Sequence, residues 1–188
     1  MGQWLTLKDL NEYSETLSEY VDDINEYSVF VETGTAYGQT LTEIYPYFSK
    51  IFTVEISQKL WEWLNPQIQN LSHVQHILGD SLVEIPKFLK TLSENEKVFF
   101  WLDAHWSQGL SSKNEYDCPL IQECLVIDSE YKADTAIIAI DDVRLFETNT
   151  NEDWSNISFD EVKKCFTNFD ILVWEEIDDR LLLFISRK

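Results

Sequence analysis

Val29-Phe30-Val31-Glu32-Thr33-Gly34-Thr35-Ala36-Tyr37-Gly38-Gln39-Thr40 is the stretch that decides the fold. A β-branched and aromatic run ends in an acid, then turns through two glycines into a segment that reads as helical. Glycine tolerates positive φ and lets a ligand come close to the backbone. A strand-to-helix turn also aims free backbone N–H groups at whatever lies above it. The stretch reads as a small-molecule cofactor loop at the end of a first strand, with a plain tight turn as the alternative.

The same alternation continues on either side. Residues 51–55, 74–78, 98–102 and 136–140 read as four further strands, and the last two are almost wholly apolar. Strands covered on both faces have that composition. Helices are expected over 40–48, over 58–64 closed by Pro66, from Ser81 through Leu92, over 119–131, and over 158–166 behind a Ser158/Glu161 capping box. Before the first strand, 18–26 reads as a helix covering one edge. Residues 169–174 and 181–186 read as a closing hairpin split by Glu-Glu-Ile-Asp-Asp-Arg. Strands alternating with helices imply right-handed crossovers and a three-layer, Rossmann-like α/β sheet. A short final connection joins only antiparallel strands. The expectation is a seven-stranded mixed sheet in one domain over 1–188, with 1–27 as an N-terminal helical cover.

Composition excludes several classes. At 188 residues the chain buries a substantial core without staples. Acids outnumber bases 34 to 14, for a net charge of −20. Such a surface repels phosphate backbones and anionic lipid, so neither nucleic acid nor membrane is an expected partner; a neutral or cationic substrate is slightly favoured. No apolar run approaches the ~18 residues of a membrane span. The N-terminal apolar stretch is too short for a secretory signal. Cys118, Cys124 and Cys165 are odd in number and lack zinc-knuckle spacing. They read as small buried hydrophobes in a reducing compartment, and a cytoplasmic location is expected.

Ligands in an open α/β sheet bind beyond the carboxyl ends of the strands. Those ends carry Glu32, Glu55, Asp80, then Asp103 with His105, then Asp141 with Asp142. Glu55 follows Gly34 by 21 positions, near the ~20-residue spacing at which an acid takes ribose hydroxyls. A carboxylate suits that task because it accepts two hydroxyl hydrogen bonds at once. Glu32 before the turn opposes a pyrophosphate but favours a cationic amino-acid moiety. This points away from dinucleotides and towards S-adenosylmethionine (SAM), which carries an ammonium and a sulfonium.

On these residues the chain resembles the class I SAM-dependent methyltransferases over nearly its whole length. Glu32-x-Gly34-x-Ala36-x-Gly38 resembles the first motif of that family, with Ala36 where glycine is commoner. Val54-Glu55 resembles its ribose acid, and Gly79-Asp80-Ser81 the segment whose acid meets the adenine amino group. The resemblance assigns Glu32, Gly34, Thr35, Gly38, Glu55, Asp80 and Ser81 to SAM. Leu102-Asp103-Ala104-His105 and Ile140-Asp141-Asp142 resemble the metal-binding segments of small metal-dependent O-methyltransferases, of the macrocin O-methyltransferase and cephalosporin hydroxylase-like group. By that resemblance Asp103, Asp141 and Asp142 hold Mg2+. Carboxylate-only shells suit Mg2+ or another hard divalent cation on chemical grounds as well. The alternative makes Asp141 a cap and Asp142 a solvated acid.

His105 is either a general base, counted with the metal-binding Asp103 as the catalytic pair, or a histidine satisfying loop carbonyls. Residues 106–113 read either as a lid over the acceptor or as a loop with no gating role. The implied activity is O-methylation of a small hydroxylated molecule, with a homodimer face available to the N-terminal helix and the tryptophans. Two rivals stand beside it: a different metal-assisted reaction on the same scaffold, and a non-catalytic SAM-binding protein.

Overall fold

Five residues of the fourth strand, Val98–Leu102, are at most 2% exposed, because helices cover the sheet on both faces. In the computed structural model, which describes residues 4–103, 118–149 and 152–188, the strands are β1 (Val29–Thr33), β2 (Lys50–Glu55), β3 (Val74–Leu78), β4 (Val98–Leu102), β5 (Thr135–Ile140), β6 (Phe169–Ile177) and β7 (Arg180–Arg187). They form one sheet in the order β3-β2-β1-β4-β5-β7-β6. β1 to β5 are parallel, while β7 runs antiparallel to both β5 and β6. This is the expected seven-stranded mixed sheet with its C-terminal antiparallel pair.

Side chains alternate between the two faces. Val29, Val31, Phe100 and Leu102 pack with α4 (Ser81–Leu89), α5 (Leu120–Glu130) and α6 (Phe159–Cys165). Phe30, Ile51, Phe99 and Trp101 pack with α1 (Leu7–Thr16), α2 (Gln39–Ile44) and α3 (Gln58–Ile68). Each large apolar side chain fully buried this way contributes roughly 1.5–3 kcal/mol. The edge strands differ: β3 has no fully buried residue and β6 only two, and their exposed residues include Gln75, Asp170, Glu175 and Glu176. Polar and charged edges discourage pairing with another sheet.

Some boundaries differ from expectation. The N-terminal helix lies at Leu7–Thr16 rather than 18–26, where only one 3-10 turn, Ile24–Glu26, forms. Thr6 starts it with a capping box: Asp9 Oδ2 accepts from Thr6 N at 2.7 Å, and Asp9 N donates to Thr6 Oγ1 at 3.4 Å. Leu10, Tyr13 and Leu17 give it a buried face at helical spacing. Pro66 lies inside α3 instead of closing it. The carbonyl it deprives of a partner is that of exposed Glu62, which water can serve. α2 ends at Ile44, and Pro46 sits in the 3-10 turn that follows (Tyr45–Tyr47). The final strands are longer than expected, leaving a two-residue turn, Asp178-Asp179, with φ of 48° and 68°. Those dihedrals fit the type I′ geometry that matches strand twist.

Candidate active site

Glu32, Glu55, Asp80, Asp103, Asp141 and Asp142 lie at or directly beyond the carboxyl ends of β1 to β5, as the alternating pattern requires. The first cluster surrounds the loop 34–38. Gly34, Ala36 and Gly38 all take left-handed φ, at 79°, 48° and 74°. The x-spaced pattern thus marks three left-handed positions, and Ala36 adopts one at a cost of roughly 1–2 kcal/mol. A Cβ on Gly38 would lie 2.8 Å from Leu64 Cδ2, in addition to the strain of its φ.

Glu55 holds this loop in place. Its Oε2 accepts from Ala36 N at 2.8 Å and its Oε1 from Ser57 N at 2.7 Å. Only 4% exposed, its carboxyl is pushed above the ordinary range by burial, while the backbone hydrogen bonds oppose that rise. Lone pairs remain on both oxygens for hydroxyl donors. Thr35 Oγ1 lies 2.5 Å from Thr53 Oγ1, and Thr53 donates to Glu32 Oε2 at 2.6 Å. Glu32 therefore points under the loop into the sheet, joined to it through two hydroxyls.

Burial pushes the Glu32 carboxyl up from 4.5 to about 8, with Thr53 opposing the rise. The folded chain keeps that proton through neutrality, whereas the unfolded chain releases it near its ordinary value. Stability from the retained proton is whole below pH 4.5 and is lost as pH rises towards 8. Glu32→Gln is therefore expected to flatten this part of the pH profile, giving a smaller fall in urea midpoint between pH 5 and pH 8 than the wild type shows. Parallel profiles would overturn the assignment.

Asp80 caps α4, its Oδ1 accepting from Leu82 N at 2.9 Å, with Ser81 buried as the first helical residue. The third group is the acid set. Asp103, Asp141 and Asp142 each offer a carboxylate oxygen, all within 4.8 Å of one another. Asp142 reaches its place through a left-handed φ of 62°. Burial and the neighbouring Asp142 push the Asp141 carboxyl up, while Arg180 opposes them. Among the described residues, two arginines offset the like charges: Arg180 Nε donates to Asp141 Oδ1 at 3.1 Å, and Arg144 Nη1 pairs with Asp142. A carboxylate trio at this spacing fits a hard divalent cation by its donor chemistry. His105 and residues 106–113 lie outside the described residues.

Three side chains at the candidate site went unread in the sequence. Arg180 is 2% exposed and also binds Asp9 at 3.0 Å and the Trp4 carbonyl at 3.2 Å. Nothing in the hairpin pattern marks it. Thr53 lies under the loop within an ordinary strand. Glu123, 1% exposed on α5, did leave a signal: its spacing from Leu120 and Ile127 places it on the buried stripe. The three cysteines are free and buried, as expected.

No family model matches the chain, and no curated protein matches it. Solved structures share its fold. A candidate rRNA-methylase from Clostridium thermocellum superposes with a TM-score of 0.62 at 15% identity, over 98% of this chain and 100% of that one. A candidate type 11 methyltransferase from Sulfolobus solfataricus gives 0.53 at 16% identity, over 91% of each chain. The Methanococcus jannaschii fibrillarin pre-rRNA processing protein gives 0.52 at 12% identity, over 86% of this chain and 67% of that one.

Proposed function

We propose that the chain is a SAM-dependent methyltransferase that O-methylates a small hydroxylated molecule with the help of a divalent cation. One observation carries the reading: a loop with three left-handed positions, tied by its backbone to a buried acid at the end of the next strand. That combination, on a fold shared with methyltransferases, suits a ligand with a ribose and a cationic amino-acid end. In this reading Glu55 takes the ribose, Asp80 and Ser81 border the base, and the loop with Glu32 beneath it faces the methionine moiety. Asp103, Asp141 and Asp142 would hold Mg2+, which lowers the pKa of a bound hydroxyl. His105 is proposed to accept the hydroxyl proton. A carbon–oxygen bond then forms as the carbon–sulfur bond breaks, releasing S-adenosylhomocysteine. Positioning and electrostatics supply most of the rate.

The net charge of −20 favours a small molecule over the rRNA that some structural neighbours are named for, since phosphates would be repelled. Among the described residues no helix is long and apolar enough to cross a membrane. The free cysteines support a proposed cytoplasmic location. Calorimetric titration with SAM, with and without Mg2+, tests the cofactor and the metal together. Saturable SAM binding and a Mg2+ heat that disappears in Asp103→Ala are expected. Binding of NAD in place of SAM would overturn the cofactor, and a Mg2+ heat unchanged in Asp103→Ala would overturn the metal site. SAM binding that never yields S-adenosylhomocysteine with hydroxylated acceptors would favour a non-methylating protein.

A further inference from the structure

α5 carries two buried acids, and the structure treats them differently. Asp128 is 4% exposed and fully used: it accepts from Thr167 Oγ1 at 2.9 Å, Asn168 N at 2.9 Å and Asn168 Nδ2 at 3.0 Å. Glu123, 1% exposed, receives only a long hydrogen bond from Thr33 Oγ1, 3.4 Å from its Oε2. Its Oε1 is buried with no hydrogen-bond partner among the described residues. Burial pushes the Glu123 carboxyl up from 4.5 to about 7, with Ser81 and Thr33 opposing the rise, and the Ser81 hydroxyl makes no hydrogen bond to Oε1. A buried polar atom without a partner in a native protein calls for an explanation, and a ligand is one.

Glu123 lines a cleft at the ends of β4 and β5 together with Asp103 and Asp141. Leu120 and Ile140 form apolar walls, Trp154 supplies an aromatic one, and no basic side chain lines the cleft among the described residues. The apolar walls suit methylene groups, and the acids and indole suit a positive charge. Burial disfavours the charged carboxylate; an ammonium both donates to Oε1 and offsets that charge, whereas a neutral hydroxyl donates without offsetting it.

We infer that this cleft binds a small alkylammonium group and that Glu123 is the residue that receives it. The methyltransferase reading is needed only to identify the bearer of that group as the methyl acceptor, making the acceptor a hydroxylated amine. Within that reading Glu123 is a specificity residue.

The test uses the full chain with ethanolamine and ethylene glycol, which are matched in size and differ in one ammonium. Ligand-observed NMR titrations are expected to show ethanolamine binding about tenfold tighter than the glycol. Glu123→Gln is expected to remove that preference, and Glu123→Asp to keep part of it. Should Glu123→Gln fail to fold, Leu120→Phe narrows the cleft with the acid intact and is expected to abolish ethanolamine binding. Equal binding of the two probes, or a preference that survives in Glu123→Gln, would overturn the inference. SAM titration of the same samples separates the two ideas. SAM binding without ethanolamine binding defeats the cleft assignment alone. Ethanolamine binding without SAM binding upholds the amine site and defeats the methyltransferase reading.

Discussion

Arg180→Ala is expected to cost about 3–5 kcal/mol of folding free energy, the usual penalty for removing one partner of a buried charge pair. Arg180 is 2% exposed at the start of β7 and serves three elements at once. It bonds Asp141 beyond β5, Asp9 on α1 and the Trp4 carbonyl, and its guanidinium lies 5.1 Å from the centre of the Trp101 ring. Alanine would take the guanidinium from Asp141 and Asp9, which are 5% and 8% exposed, and loosen the N-terminal segment from the sheet. Arg180→Lys keeps the charge but not the planar fork, and is expected to recover only part of the loss. Urea denaturation measures both. A change below about 1 kcal/mol in the alanine variant, as found for exposed pairs, would show that the hub contributes little.

Glu55→Ala is expected to weaken SAM binding about a hundredfold, through two effects that can be separated. It removes the carboxylate proposed to take the ribose hydroxyls. It also strands Ala36 N and Ser57 N, so the strained left-handed Ala36 loses the bond that anchors it. Ser57 is buried, so its orphaned N–H costs roughly 1–3 kcal/mol, and the melting temperature is expected to fall as well. Ala36→Gly in the Glu55→Ala background relieves the backbone strain without restoring the acid. It is expected to recover stability while SAM affinity stays low, as calorimetry and thermal melts on the single and double variants would show. Recovery of both would make Glu55 a loop anchor alone, and unchanged affinity in Glu55→Ala would remove it from the cofactor site.

The strand-end acids were legible in the sequence because strand and helix periods differ and ligand sites in open sheets gather at one edge. β1 and β4 could be read from their runs of β-branched and aromatic residues, and Gly34 and Gly38 from the turn between strand and helix. The N-terminal helix was misplaced because its first turn is polar: Asp9 serves the cap and the Arg180 hub, so it weakens the apolar pattern. Pro66 misled because its effect depends on whether the orphaned carbonyl faces water, which spacing does not state. Glu123 was legible in principle, as an acid on the buried stripe of α5.

By itself, the sequence determined the sheet's composition, the edge at which the acids gather and the two glycines of the turn, because these follow from local periodicity and backbone sterics; the left-handed Ala36 between them came from the structure. Tertiary structure alone decided which charges meet. Arg180 and Asp9 are 171 positions apart and Arg180 and Asp141 are 39 apart; β7 pairing with β5 brings the second pair together, and α1 packing on the sheet brings the first. Packing of α5 against the sheet sets Glu123 under Thr33, and the pairing of β4 with β5 sets Asp103 beside Asp141. Contacts across such sequence separations depend on how the layers close, which no local pattern records.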